Sequence, residues 1–117
     1  KILNFFSKEK YFQNISIEIK TLYEYLNSQV IKNIDFLKID TEGYEFQVLL
    51  GLKNKLQNVK IVLFEHHYDD MLKKGYTFTD IHALLVKYNF KQIYKSKMPF
   101  RKTFEYIYIN KNFKYEK

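Results

Sequence analysis

The chain has 117 residues, a hydrophobic fraction of 46% and a formal net charge of +7. That length suits one domain or part of one, with apolar content enough for a core. The absence of cysteine excludes disulfides and thiolate metal sites, and with neither a signal-peptide pattern nor an apolar run near the ~20 residues of a membrane span, a soluble cytoplasmic chain is expected.

Residues 15–20, ISIEIK, alternate apolar and polar and predict a strand with one wet face. TLYEYL follows, with Thr21 and Glu24 at capping-box spacing, which predicts a helix of about two turns. Ile34, Phe36, Leu37 and Ile39 form a nearly unbroken apolar run over 34–39, the pattern of a strand buried on both faces in a parallel sheet. From Gly43 the period changes: Val48, Leu49, Leu52 and Leu56 predict a helix that ends near Gln57 and Asn58. KIVLFE, 60–65, predicts a second buried strand, so the region reads as a βαβ unit with parallel strands.

A polar loop, HHYDDMLKKGY, leads to a third helix. Thr77 and Asp80 again have capping-box spacing, Tyr76 can staple against Ile81, and Ile81, Leu84, Leu85 and Tyr88 form the buried face. Two strands end the chain, at 90–95 and 103–110. The seven residues between them are too few for a crossover helix, so the pair is expected to be antiparallel. The last strand is apolar on both faces and is placed inside the sheet. The fold class is α/β, mostly parallel with an antiparallel end.

Parallel strands end on one edge. The first ends in Asp40-Thr41-Glu42 and the second in Glu65-His66-His67. If they are neighbours, these side chains converge on the crevice where open α/β sheets bind ligands. Asp40 is the leading functional carboxylate, because a desolvated acid must be paired or used. Glu42 and Glu65 share the mouth, and His66 and His67 are candidate substrate-binding groups. Asp35 and Glu45 are explained by strand and helix ends, His82 by structure, and Gly43 by close backbone approach. Asp40, Glu65 and His66 could alternatively hold a hard divalent cation, although no metal ligand set is assigned.

The run IDFLKIDTEGYEFQVLLGL, preceded by TLYEYL, resembles the FkbM family of S-adenosylmethionine-dependent methyltransferases. Lys38, Ile39, Asp40, Glu42, Gly43, Tyr44, Glu45, Leu49 and Gly51 carry the resemblance, Thr41 stands where Val is usual, and IVLFEHH resembles the family's next strand. The resemblance implies part of a Rossmann-like class I methyltransferase sheet. It implies S-adenosylmethionine as cofactor and O-methylation of a hydroxyl on a small molecule, sugar or glycan. Asp40 would then be the base, with Glu42 and Glu65 beside it. Such enzymes bind the cofactor through a Gly-rich loop, and this chain has three glycines and no G-x-G. The chain therefore reads as the C-terminal half of such a domain, whether a fragment, a truncated gene product or a segment of a longer protein, expected to be inactive alone and with its cofactor-binding residues unknown.

A reading of another class is a non-catalytic basic module binding an anionic partner such as RNA. Residues 59–117 carry twelve bases and six acids, against eight and seven in 1–58, and aromatics interleave with lysines over 88–115. The lysines are scattered, however, and those aromatics have strand periodicity, so nucleic acid is the second reading.

Overall fold

The computed structural model describes residues 14–69 and 72–115. Their elements in chain order are α1 (Leu22–Ser28), β1 (Ile34–Ile39), α2 (Glu45–Leu50), a 3-10 helix (Lys53–Asn58), β2 (Val59–His67), α3 (Phe78–Lys87), β3 (Phe90–Lys97) and β4 (Thr103–Asn110). The four strands form one sheet in the order β1-β2-β4-β3. β1 and β2 are parallel, with Ile39 opposite Phe64. β4 runs antiparallel to β2 on one side and to β3 on the other. The βαβ unit, the antiparallel final pair and the interior place of β4 all agree with the sequence reading.

Three expectations need correction. Residues 15–20 are not a strand. They form no regular element and are exposed, with Ile15, Ile17 and Ile19 in solvent, because alternation only makes a strand where a neighbour completes the ladder. The helix expected to run to Gln57 stops at Leu50, and the chain re-enters a 3-10 helix after Gly51 and Leu52, with Lys53 at φ 51°. β1 is not buried on both faces: Phe36 is 54% exposed, because the helices stack on one side only. Within the polar loop, Asp70 and Met71 lie outside the described residues.

The core lies on that helix-covered side. Ile39, Val62, Phe64, Tyr106 and Tyr108 present it from the strands, and Leu26, Leu49, Leu56, Ile81 and Leu85 meet it from the helices. Phe64 stacks on Tyr106 and Tyr108 at 5.4 and 5.8 Å between ring centroids. Tyr108, whose burial, aided by Tyr68, raises its pKa to about 12, donates to Gln92 at 3.1 Å and lies 2.8 Å from His82 Nδ1. His82 is thus the structural residue expected. The opposite sheet face, with Ile61, Leu63, Ile107 and Ile109, is only partly covered.

Both capping boxes hold their helix starts. Glu24 accepts from the Thr21 N–H at 2.9 Å, and Asp80 accepts from the Thr77 N–H at 2.7 Å. At the far sheet end, fully buried Asn110 donates to the carbonyls of Gln57 and Val59, both at 3.0 Å, and accepts from Asn112. It locks β4 to the start of β2. Asn110→Ala leaves those buried carbonyls short of donors and is expected to lower stability by about 1–3 kcal/mol. Urea unfolding checks this, and a wild-type midpoint would show that the lock carries no weight.

Candidate functional site

The register of the two parallel strands places Asp40 beside Glu65, one residue beyond the Ile39–Phe64 pair. The acidic mouth therefore exists as a sheet edge. What shapes it is a residue that the sequence reading assigned to a helix end. Glu45 is 1% exposed, and its carboxylate gathers four donors. Thr41 N–H, Thr41 hydroxyl and Gly43 N–H reach Oε1 at 3.2, 3.1 and 3.0 Å, and the Tyr76 hydroxyl donates to Oε2. Burial alone would push the Glu45 pKa up. The hydrogen bonds from Tyr76, Gly43 and Thr41 outweigh it and hold the pKa below its ordinary 4.5. The same burial and the same carboxylate push the Tyr76 phenol pKa upward.

This clamp folds the segment 41–43 back over the start of α2. Glu42 takes φ 50°, and Gly43 takes φ 102°. A Cβ on Gly43 would stand 3.3 Å from Leu72 Cβ in a backbone region that side chains rarely adopt. The close approach expected of this glycine is therefore present. The turn carries Glu42 across to β2, where Glu42 Oε2 lies 3.3 Å from His67 Nε2. On its other side, His67 Nδ1 is 2.9 Å from the Thr103 hydroxyl, its register partner on β4. His67 and Thr103 are buried, while the Glu42 side chain is 66% exposed. The result is a line from a buried hydroxyl through a buried imidazole to an exposed carboxylate.

Asp40 and Glu65 lie on the same sheet face as His67, the one turned away from the helices. Asp40 is not the desolvated acid expected: its side chain is 40% exposed and pairs with Lys38 at 3.3 Å. It sits at the open edge of β1, where water reaches it. Glu65 has its pKa raised, by burial first and then by Asp40 and Glu105. His66 points to the helix side, since neighbours on a strand alternate. It is buried, with its ring edge-on to Tyr68 at 4.7 Å and 5.9 Å from both Tyr76 and Phe78. Its Nδ1 is buried without a hydrogen-bond partner. Burial and then Lys74 depress its pKa, which keeps the ring neutral near pH 7.

The five candidate residues thus fall into three sets: Asp40 with Glu65, Glu42 with His67, and His66 among aromatic rings. Among the described residues no group of three His, Asp or Glu side chains is placed to hold a metal ion. Two cavities open at this edge. One of about 400 Å³ is lined by His66, Tyr68, Lys74, Tyr76 and Phe78. The other, about 500 Å³, is lined by Glu42, Phe100, Arg101, Lys102 and Thr103. His67, Asp69 and Leu72 line both, so the two share a wall.

A mixed α/β sheet with polar groups at adjacent parallel strand ends, opening onto cavities, is the architecture of a small-ligand-binding α/β protein. The profile described as the methyltransferase FkbM domain matches residues 2–92, and the chain belongs to that family. Membership brings methyltransferase activity in general and a small-molecule acceptor. Neither the curated proteins nor the solved structures yield a match. Among the described residues no helix is long and apolar enough to cross a membrane. The matched stretch includes Asp40, Glu42, Glu65, His66 and His67, and ends before Thr103.

Proposed function

We propose that the protein takes part in O-methylation of a hydroxyl, on a sugar or glycan, with S-adenosylmethionine as donor. Its four strands would then be the C-terminal half of a Rossmann-like class I methyltransferase sheet, which the reversed position of β4 supports. The observation that carries the reading is the Glu42–His67–Thr103 line at the edge where β1 and β2 end together.

The donor would supply a positively charged sulfonium methyl group. Carboxylates at Asp40, Glu42 and Glu65 suit that charge, while no G-x-G turn is present to cradle its remainder, so those contacts are left unassigned. The chain's own part concerns the acceptor. An alcohol is a poor nucleophile until its proton can leave. Glu42, exposed at the mouth, takes that proton. His67 is a positioning residue: with the Thr103 hydroxyl donating to Nδ1, Nε2 carries the hydrogen and stands 3.3 Å from Glu42 Oε2, a contact at ion-pair distance that keeps the carboxylate at the mouth. Asp40 adds negative charge nearby. The aromatic rings beside His66 offer a flat apolar wall for a sugar face.

The test is transfer of labelled methyl from S-adenosylmethionine to a panel of hydroxyl acceptors by the complete domain. Label on oxygen is expected, and Asp40→Asn should slow transfer while leaving the unfolding midpoint unchanged. Label on nitrogen or carbon only would overturn the O-methylation reading.

A further inference from the structure

We propose that the tip of the β3–β4 hairpin docks the protein onto an anionic lipid surface, with Phe100 as the inserted side chain. The tip, 98–102, lies beyond the residues that the family profile accounts for. Phe100 is fully exposed, more so than any other large apolar side chain among the described residues. An aromatic ring held in water without function is unfavourable, and here the backbone holds it there. Phe100 sits at φ 61°, a region a bulky side chain seldom adopts. The turn is closed beneath it by Met98 N–H to Thr103 carbonyl at 2.9 Å and Arg101 N–H to Met98 carbonyl at 3.4 Å. The Tyr68 N–H, bonded to the Lys102 carbonyl at 2.8 Å, ties the tip to the end of β2.

Charge selects the partner. From Lys95 to Phe104 the chain has no acid, and exposed Lys97, Arg101 and Lys102 flank the ring. An apolar wedge ringed by cations is what an anionic headgroup layer accepts: the ring enters the interface while the cations meet phosphates. Single-stranded RNA would need successive aromatic platforms along a groove, whereas the exposed neighbours of Phe100 are Pro99 and Arg101. The excess of bases over acids in 59–117 draws the same half of the chain towards a negative surface.

Phe100, Arg101 and Lys102 also line the cavity that holds Glu42 and His67. Docking by this tip therefore sets the mouth of that cavity at headgroup depth. The corollary, that the acceptor hydroxyl is borne by a membrane-surface molecule, rests on the methyl-transfer reading. The docking does not.

The experiment is co-sedimentation of the full chain with phosphatidylcholine vesicles, with and without phosphatidylglycerol, in the absence of donor and acceptor. Binding is expected only to the anionic vesicles. Phe100→Ser should weaken it about tenfold or more, and each of Lys97→Gln, Arg101→Gln and Lys102→Gln about fivefold. The chain has no tryptophan, so Phe100→Trp supplies a single indole, excited at wavelengths where the tyrosines do not absorb, whose emission should shift to the blue on anionic vesicles. Equal binding to both vesicle types, unchanged binding by Phe100→Ser, or a Trp spectrum that stays that of water would each overturn the proposal. So would tighter binding to single-stranded RNA than to anionic vesicles. Failure of methyl transfer would leave the vesicle result standing, and the reverse holds as well.

Discussion

Glu42→Gln is expected to lower methyl transfer by about 10²- to 10⁴-fold, the range that a positioned general base contributes. The substitution keeps the size of the side chain and an oxygen that can still lie beside His67 Nε2. It removes the capacity to take a proton. Because Glu42 is largely in solvent, the unfolding midpoint should not move, which separates lost chemistry from lost fold. His67→Ala should act differently. It releases a carboxylate that remains able to accept a proton, so the loss should be smaller and should be partly restored by His67→Gln, whose amide can donate in place of Nε2–H. Thr103→Val should resemble His67→Ala in direction and be weaker still. Wild-type turnover in Glu42→Gln would move the base elsewhere, with Asp40 the next carboxylate at the same edge.

Much of this edge was legible in the sequence, and the part that was not has a common physical reason. β1 and β2 are recognisable because short apolar stretches, four apolar residues within 34–39 and four in a row over 61–64, are local patterns. Their parallel pairing follows from the helical period between them. The placement of β4 follows from its two apolar faces. Local patterns also found Asp40, Glu42, Glu65, His66 and His67. They could not sort them, because which face each side chain takes depends on register. Thr103 was invisible for the same reason: it meets His67 across an antiparallel pairing of chain segments 36 residues apart. Ile15, Ile17 and Ile19 show the converse failure, an alternation without a neighbouring strand among the described residues. Glu45 does stand in the first turn of α2 as read, but its wider role was hidden because a carboxylate there is so often only a helix-dipole partner. Nothing local says that Tyr76, 31 residues later, closes over it.

Glu45→Ala is therefore expected to lower stability by about 3–5 kcal/mol, a large part of what a domain of this size has to lose. Half-buried Gly43 and the buried Tyr76 hydroxyl would each lose their acceptor, at about 1–3 kcal/mol apiece, and exposed Thr41 would lose its two bonds at less, since water can reach it. Tyr76→Phe, which removes one bond, should cost about 1–2 kcal/mol. Glu45→Gln separates charge from shape: it fits the same space but brings an NH₂ towards groups that are themselves donors, so it should fall nearer to Ala than to wild type. The pH dependence has a definite sign. The folded pKa of Glu45 lies below its ordinary 4.5, so its contribution is fully present above that value and fades as pH falls through the folded pKa. Urea unfolding at neutral pH should thus show the full gap between wild type and Glu45→Ala, and the gap should narrow in acid. A gap that is small at neutral pH, or that widens below 4.5, would mean that the 41–43 turn holds itself. Glu42 would then owe its position to His67 alone.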